Sequence, residues 1–203
     1  MSKPASGTAQ AAAPTASAWP RILTWRAHGV PRMESVRVQL SGNRIRASGR
    51  IIGADCAEHP AFSASYDLAT DEAGTVTRLS LRALVASGTR QKSISRDEDS
   101  YWTVEDGTNS LRSTFGGAVE VDVVLSPFFN TLPIRRLGLH AESVDVEVPV
   151  AYVSLPDLTV REASLTYSSG SDGISVISPV SSATLSVDKH GFVLDYPGLA
   201  ERI

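Results

Sequence analysis

Large apolar residues recur at every second position along most of this chain. Val36, Val38 and Leu40 alternate with Arg37 and Gln39, and Leu79 and Leu81 with Ser80 and Arg82. Val144, Val146, Val148 and Val150 alternate with Asp145 and Glu147, Leu185 and Val187 with Ser186 and Asp188, and Phe192, Leu194 and Tyr196 with Val193 and Asp195. Side chains of a strand point to opposite faces in turn, so this period marks strands with one buried face. Turn-forming clusters separate the runs: Ser41-Gly42-Asn43, Asp71-Glu72-Ala73-Gly74, Asp106-Gly107, Gly170-Ser171-Asp172-Gly173 and Asp188-Lys189-His190-Gly191. Many short strands without intervening helices predict an all-β antiparallel sheet, sandwich or open barrel.

One stretch breaks the pattern. Val119 to Leu139 runs from a β-branched strand into Ser126-Pro127, Phe128-Phe129, Asn130-Thr131, Pro133 and Arg135-Arg136. One short helix or turn is expected near 130–137, with Asn130 or Thr131 as cap and Pro133 in its first turn. Glu120 and Asp122 share one face of the preceding strand. If both faces are covered, Asp122 needs a cation, and Arg135 or Arg136 is the nearest. Asp122, Asn130, Pro127 and Pro133 are therefore read as structural parts of a rigid plug on the sheet.

Residues 1–18 are almost entirely Ala, Ser, Thr, Pro and Gly. Such a segment has nothing large to bury and is expected to be a disordered tail. Residues 19–203 are expected to form a single β domain. With 19 Lys+Arg against 22 Asp+Glu, the net charge is −3. That balance argues against a general nucleic-acid partner. No segment is long and apolar enough to span a bilayer, and Ala11-Ala12-Ala13 is interrupted by Pro14. The expectation is a soluble, cytoplasmic chain rather than an integral membrane protein. The single cysteine, Cys56, excludes an intramolecular disulfide and fits a reducing compartment.

No catalytic constellation stands out. His28, His59, His140 and His190 lack metal-ligand spacing, so no metal site and no cofactor are expected. The chain has no G-x-S-x-G elbow, and Gly116-Gly117 precedes a strand rather than a phosphate-binding helix. Cys56 lies beside Asp55 and Glu58, whose negative charges oppose a nucleophilic thiolate. A hydrolase built on Asp122 with an arginine, or on Glu58 with His59, ranks last; the chain is read as not an enzyme.

The run Pro127-Phe128-Phe129-Asn130-Thr131-Leu132-Pro133-Ile134-Arg135-Arg136-Leu137 resembles the P-F-[TS]-N-T-L-P-I-R-R-L signature of the Putative glycolipid-binding family, bacterial proteins long classed as a domain of unknown function. Val121-Asp122-Val123, and the ending Val187-Asp188 through Tyr196-Pro197, resemble other parts of that family's pattern; Trp25, Glu34-Ser35-Val36-Arg37-Val38, Tyr66-Asp67-Leu68 and Trp102 fall in matching order. The resemblance spans Trp25 to Arg202. It implies a strongly curved antiparallel sheet forming an unclosed half-barrel, similar to periplasmic lipoprotein carriers. It also implies non-catalytic binding of a lipid or glycolipid in the concave face. The candidate ligand-binding residues are Trp25, Trp102, Phe128, Phe129, Tyr152 and Tyr167 as walls, with Arg135 and Arg136 for a head group. The chain departs from the pattern at Phe129, at Leu165 and at Ile174-Ser175-Val176. The alternative reading is a structural or partner-binding β domain, and the sequence leaves the oligomeric state open.

Overall fold

A computed structural model describes residues 19–203; the expected tail at 1–18 lies outside them. Fifteen strands form one sheet. The first eight are β1 (Arg21–Ala27), β2 (Arg32–Ser41), β3 (Arg44–Gly53), β4 (Phe62–Thr70), β5 (Val76–Val85), β6 (Gly88–Arg96), β7 (Trp102–Glu105) and β8 (Ser110–Ser113). After a 3-10 turn at Phe115–Gly117 come β9 (Glu120–Val123) and the helix α1 (Pro127–Arg136). The last six are β10 (Asp145–Val153), β11 (Val160–Gly170), β12 (Gly173–Ile177), β13 (Ser182–Val187), β14 (Val193–Tyr196) and β15 (Ala200–Arg202).

The strand order is β8-β7-β6-β5-β4-β3-β2-β1-β15-β14-β13-β12-β11-β10-β9. Two antiparallel meanders are joined where β1 pairs with β15, Trp25 opposite Arg202. Strand β9 runs parallel to β10, Asp122 opposite Tyr152, because α1 carries the chain across. The sheet is open, with β8 and β9 as its edges, as the period-two reading and the resemblance lead one to expect.

The alternation places Val36, Val38, Ile45, Ala47, Leu79 and Leu81 on the buried face. The helix lies against that face. Every residue from Pro127 to Ile134 is buried, so α1 has no polar side and no amphipathic stripe. Phe128, Phe129 and Leu132 join the core of the first meander, and Ile134 joins that of the second. One helix thus ties two sheet halves together.

The helix differs from its expected form. It begins at Pro127, Ser126 is its N-cap, and Pro133 sits in its interior. Neither Asn130 nor Thr131 caps it. The physical reason is that Pro127 already supplies the first helical φ, and the cap is completed from another strand, described next.

Candidate functional site

Strand β2 turns Arg32, Glu34, Val36 and Val38 to the same buried side. Glu34 thereby reaches the start of α1. Its carboxylate accepts hydrogen bonds from the Tyr66 hydroxyl at 2.6 Å, the Ser126 hydroxyl at 2.7 Å and the Phe128 backbone N–H at 3.4 Å. Ser126 makes no side-chain bond to its own helix because its hydroxyl points to Glu34. A carboxylate from β2 therefore occupies the helix N-terminus, where the free N–H groups favour an anion. Burial pushes the Glu34 pKa up to about 7, opposed by those donors and by Arg32. Tyr66 reaches Glu34 by lying over Gly49, where a Cβ would come within 2.2 Å of the ring.

On the other side of Ser126 lies a cavity of about 310 Å³. It is bounded by the β9–α1 junction, by β10 and β11, and by the turns at 178–182 and 196–199. That volume equals about ten molecules of liquid water, near the lower end of small-ligand sites. Leu125, Leu165, Val180 and Leu199 supply apolar wall; Asp122, Asn130, Tyr152 and Tyr196 supply polar groups. Asp122 is buried, and no hydrogen bond or ion pair reaches its carboxyl among the described residues. Desolvation pushes its pKa up to about 7. Tyr152, beside it on β10, is pushed up to about 12, by burial first and then by Asp122. The Tyr196 hydroxyl is 2.9 Å from that of Ser181. An unpartnered buried carboxyl on a cavity wall is the group best placed to meet a ligand hydroxyl. Leu125, on the same wall, has φ of 72°, a left-handed backbone that is strained for a leucine.

The ion pair expected for Asp122 is made by its neighbour. Arg136 Nε lies 2.5 Å from Glu120, and Asp122 faces the cavity instead. Both acids are on one strand face, but only Glu120 lies level with the last turn of α1. Glu120 is also pushed up to about 7, by burial against the favourable field of Arg136. Arg135 donates to the backbone carbonyls of His190 and Gly42 and lies over the Phe192 ring.

The other singled-out residues divide in two groups. Trp25 and Trp102 are fully buried and donate to the Val193 carbonyl at 2.9 Å and the Ala118 carbonyl at 2.8 Å. Phe128 and Phe129 pack on Tyr66 with centroids 6.0 and 5.0 Å away. These four sit in filled core, where α1 occupies the sheet face expected to hold a ligand. Tyr152 and Asn130 line the cavity, and Tyr167 donates to Asn130 Oδ1 at 2.9 Å just behind it. Glu34, Tyr196 and Ser126 were named in the sequence only as parts of motifs, with no site role. The available signal for Glu34 was its parity with Val36 and Val38.

Fold and cavity together define an open antiparallel β-sheet protein, plugged by one helix, with a small amphipathic cavity beside the plug. The chain belongs to the Putative glycolipid-binding family, whose model matches residues 22–202. It is also similar to a crystal structure, at 1.80 Å resolution, of a DUF1089 family protein from Pseudomonas aeruginosa. The identity is 27%, the TM-score is 0.69, and the match covers 88% of this chain and 95% of that one. No curated protein matches the chain. Among the described residues no helix is long and apolar enough to cross a membrane.

Proposed function

We propose that the protein binds a lipid or glycolipid without catalysing a reaction, and that the 310 Å³ cavity receives the polar part of that ligand. The observation that carries this reading is the Asp122 carboxyl, buried on the cavity wall with no partner among the described residues. Asn130 and the Tyr152 and Tyr196 rings give it an amide and two aromatic neighbours, the groups that hold a sugar ring or glycerol by hydroxyl and C–H contacts. The apolar wall of Leu125, Leu165 and Leu199 takes the first methylenes of a chain, each worth roughly 0.8 kcal/mol. The family description supports the glycolipid class.

Native mass spectrometry of the purified protein, followed by organic extraction, tests the reading. A bound lipid or glycolipid is expected, and Val180→Trp, at the exposed rim, is expected to reduce its occupancy tenfold or more. An empty protein, or unchanged occupancy in Val180→Trp, contradicts it. The second reading, a partner-binding β domain, draws on the exposed four-residue edge strand β8. Concentration-dependent dimerisation lost on proline substitution in β8, together with an empty cavity, would favour it.

A further inference from the structure

The sheet face opposite α1 carries an ordered array of arginines. Arg46 and Arg78 lie in one cross-strand row, on either side of Ala69; Arg50 and Arg82 lie in another, on either side of Ser65. Partners two strands apart are separated by about 10 Å, and the rows by about 13 Å along the strands. Between the rows runs a third: Arg37, Ser48, Asp67, Ser80, Ser93 and Glu105. All five arginines are exposed, and none forms an ion pair among the described residues, in a chain of net charge −3. Unpaired positive charge is thus concentrated on one face.

That face is grooved. A depression of about 380 Å³ spans β2 to β5, and one of about 700 Å³ spans β4 to the turn before β8. The two share Asp67, Arg78 and Ser80 and form one trough running across the strands. Its remaining lining is mostly hydroxyl and amide, including Gln39, Gln91 and Asn109, with Lys92 and a few aliphatic side chains but no aromatic ring.

We infer that this trough binds an acidic oligosaccharide, a short extended glycan bearing carboxylate or sulfate groups. Guanidinium forks pair with carboxylate and sulfate oxygens in two-point contacts. Asp67 and Glu105 lie within the same trough, and they select among anions; Asp106, also there, is held by Lys92 and by the turn at Thr108 and Asn109. Asp67 and Glu105 repel a uniform polyanion such as a nucleic acid or an anionic bilayer, but they accept hydrogen bonds from sugar hydroxyls. Single-stranded nucleic acid also needs stacking rings, which this face lacks. A flat bilayer does not enter a trough. The inference stands apart from the cavity beside α1, which lies on the other side of the sheet.

Calorimetric titration of the full chain tests it, with four probes: a uronic-acid tetrasaccharide, a neutral tetrasaccharide of equal length, a twelve-residue oligothymidylate and vesicles containing anionic phospholipid. The uronate is expected to bind with salt-sensitive affinity, and the other three at least tenfold more weakly. Arg78→Gln is expected to weaken uronate binding about tenfold, and Arg78→Lys less, since charge survives but the fork does not. Asp67→Asn decides the role of the carboxylate. Weaker uronate binding supports hydroxyl recognition, and tighter binding of every anion overturns it. Equal or stronger binding of the oligonucleotide or the vesicles, no uronate binding, or an unaffected Arg78→Gln variant with unchanged Tm would also overturn the inference. Val180→Trp is expected to leave uronate binding intact, so failure at the cavity and failure at the trough are separable.

Discussion

Glu34 and Asp122 flank Ser126 from opposite sides, and the contrast between them separates structure from function in this protein. Both carboxyls are buried, and both are pushed up to about 7 by loss of solvent. Glu34 accepts three hydrogen bonds and closes the N-terminus of the helix that joins the two cores. Asp122 accepts none and faces a cavity. The same displaced pKa therefore arises at a finished joint and at an open site. The hydrogen bonds, not the pKa, tell them apart.

The contrast can be broken experimentally. The largest effect is expected for Glu34→Leu, which leaves the Tyr66 hydroxyl, the Ser126 hydroxyl and the Phe128 N–H buried without an acceptor. At about 1–3 kcal/mol for each such group, the loss should reach about 4 kcal/mol, or about 10 °C in Tm. Thermal unfolding at pH 6 measures it, and a loss no larger than that of Asp122→Leu would erase the distinction. Gly49→Ala should come next, at about 2 kcal/mol, because the new methyl displaces the Tyr66 ring from above β3 and lengthens its bond to Glu34. An equal cost of Gly49→Ala in a Tyr66→Leu background, where no ring is left to displace, would show that the tyrosine's position is not the cause.

Arg136→Met should cost about 1–2 kcal/mol, less than a buried charge left bare, since Glu120 can take up a proton at neutral pH. The loss should grow between pH 6 and pH 8 as that proton becomes harder to hold, and binding of a cavity ligand should survive it.

Asp122→Asn should have the opposite sign, and its effect should depend on pH. In the unfolded chain an aspartate ionises near pH 4, whereas in the native protein Asp122 keeps its proton until about pH 7. Stability is therefore lost as pH rises through that window, and the penalty is complete above it. The variant should match the parent below pH 4 and exceed its Tm by a few degrees at pH 8. Equal Tm values at pH 8 would mean that Asp122 has a partner in the protein after all.

Much of this architecture was legible from residue order alone. The alternation around Val36, Leu79, Val148 and Leu185 specified strands and their buried faces, because strand geometry has a fixed period. Tyr152, expected on a ligand wall, lines the cavity, whereas Asn130 was expected as a helix cap and structural residue. Trp25, Trp102, Phe128 and Phe129 drew attention by size, yet size does not say whether an aromatic fills a core or lines a void. Asp122 was singled out, but as the partner of an arginine; a two-residue shift along β9 gave that role to Glu120. Glu34 was passed over because its partners, Tyr66 and Ser126, are 32 and 92 residues away. The arginine array was also hidden, since Arg46, Arg50, Arg78 and Arg82 become neighbours only through the register of β3, β4 and β5.

The sequence by itself determined that the chain is a succession of half-buried strands, interrupted once by a proline-punctuated segment that breaks the alternation, and it carried the resemblance to the family. Those properties are local: they depend on side-chain period, turn chemistry and motif order. Only the tertiary structure decided that the interrupting segment fills the sheet face, that Glu34 rather than a residue of the helix completes its N-terminus, and that Asp122 is left without a partner beside a cavity. Those outcomes depend on which distant strands lie side by side, because burial and hydrogen-bond satisfaction belong to the assembled surroundings rather than to any one residue.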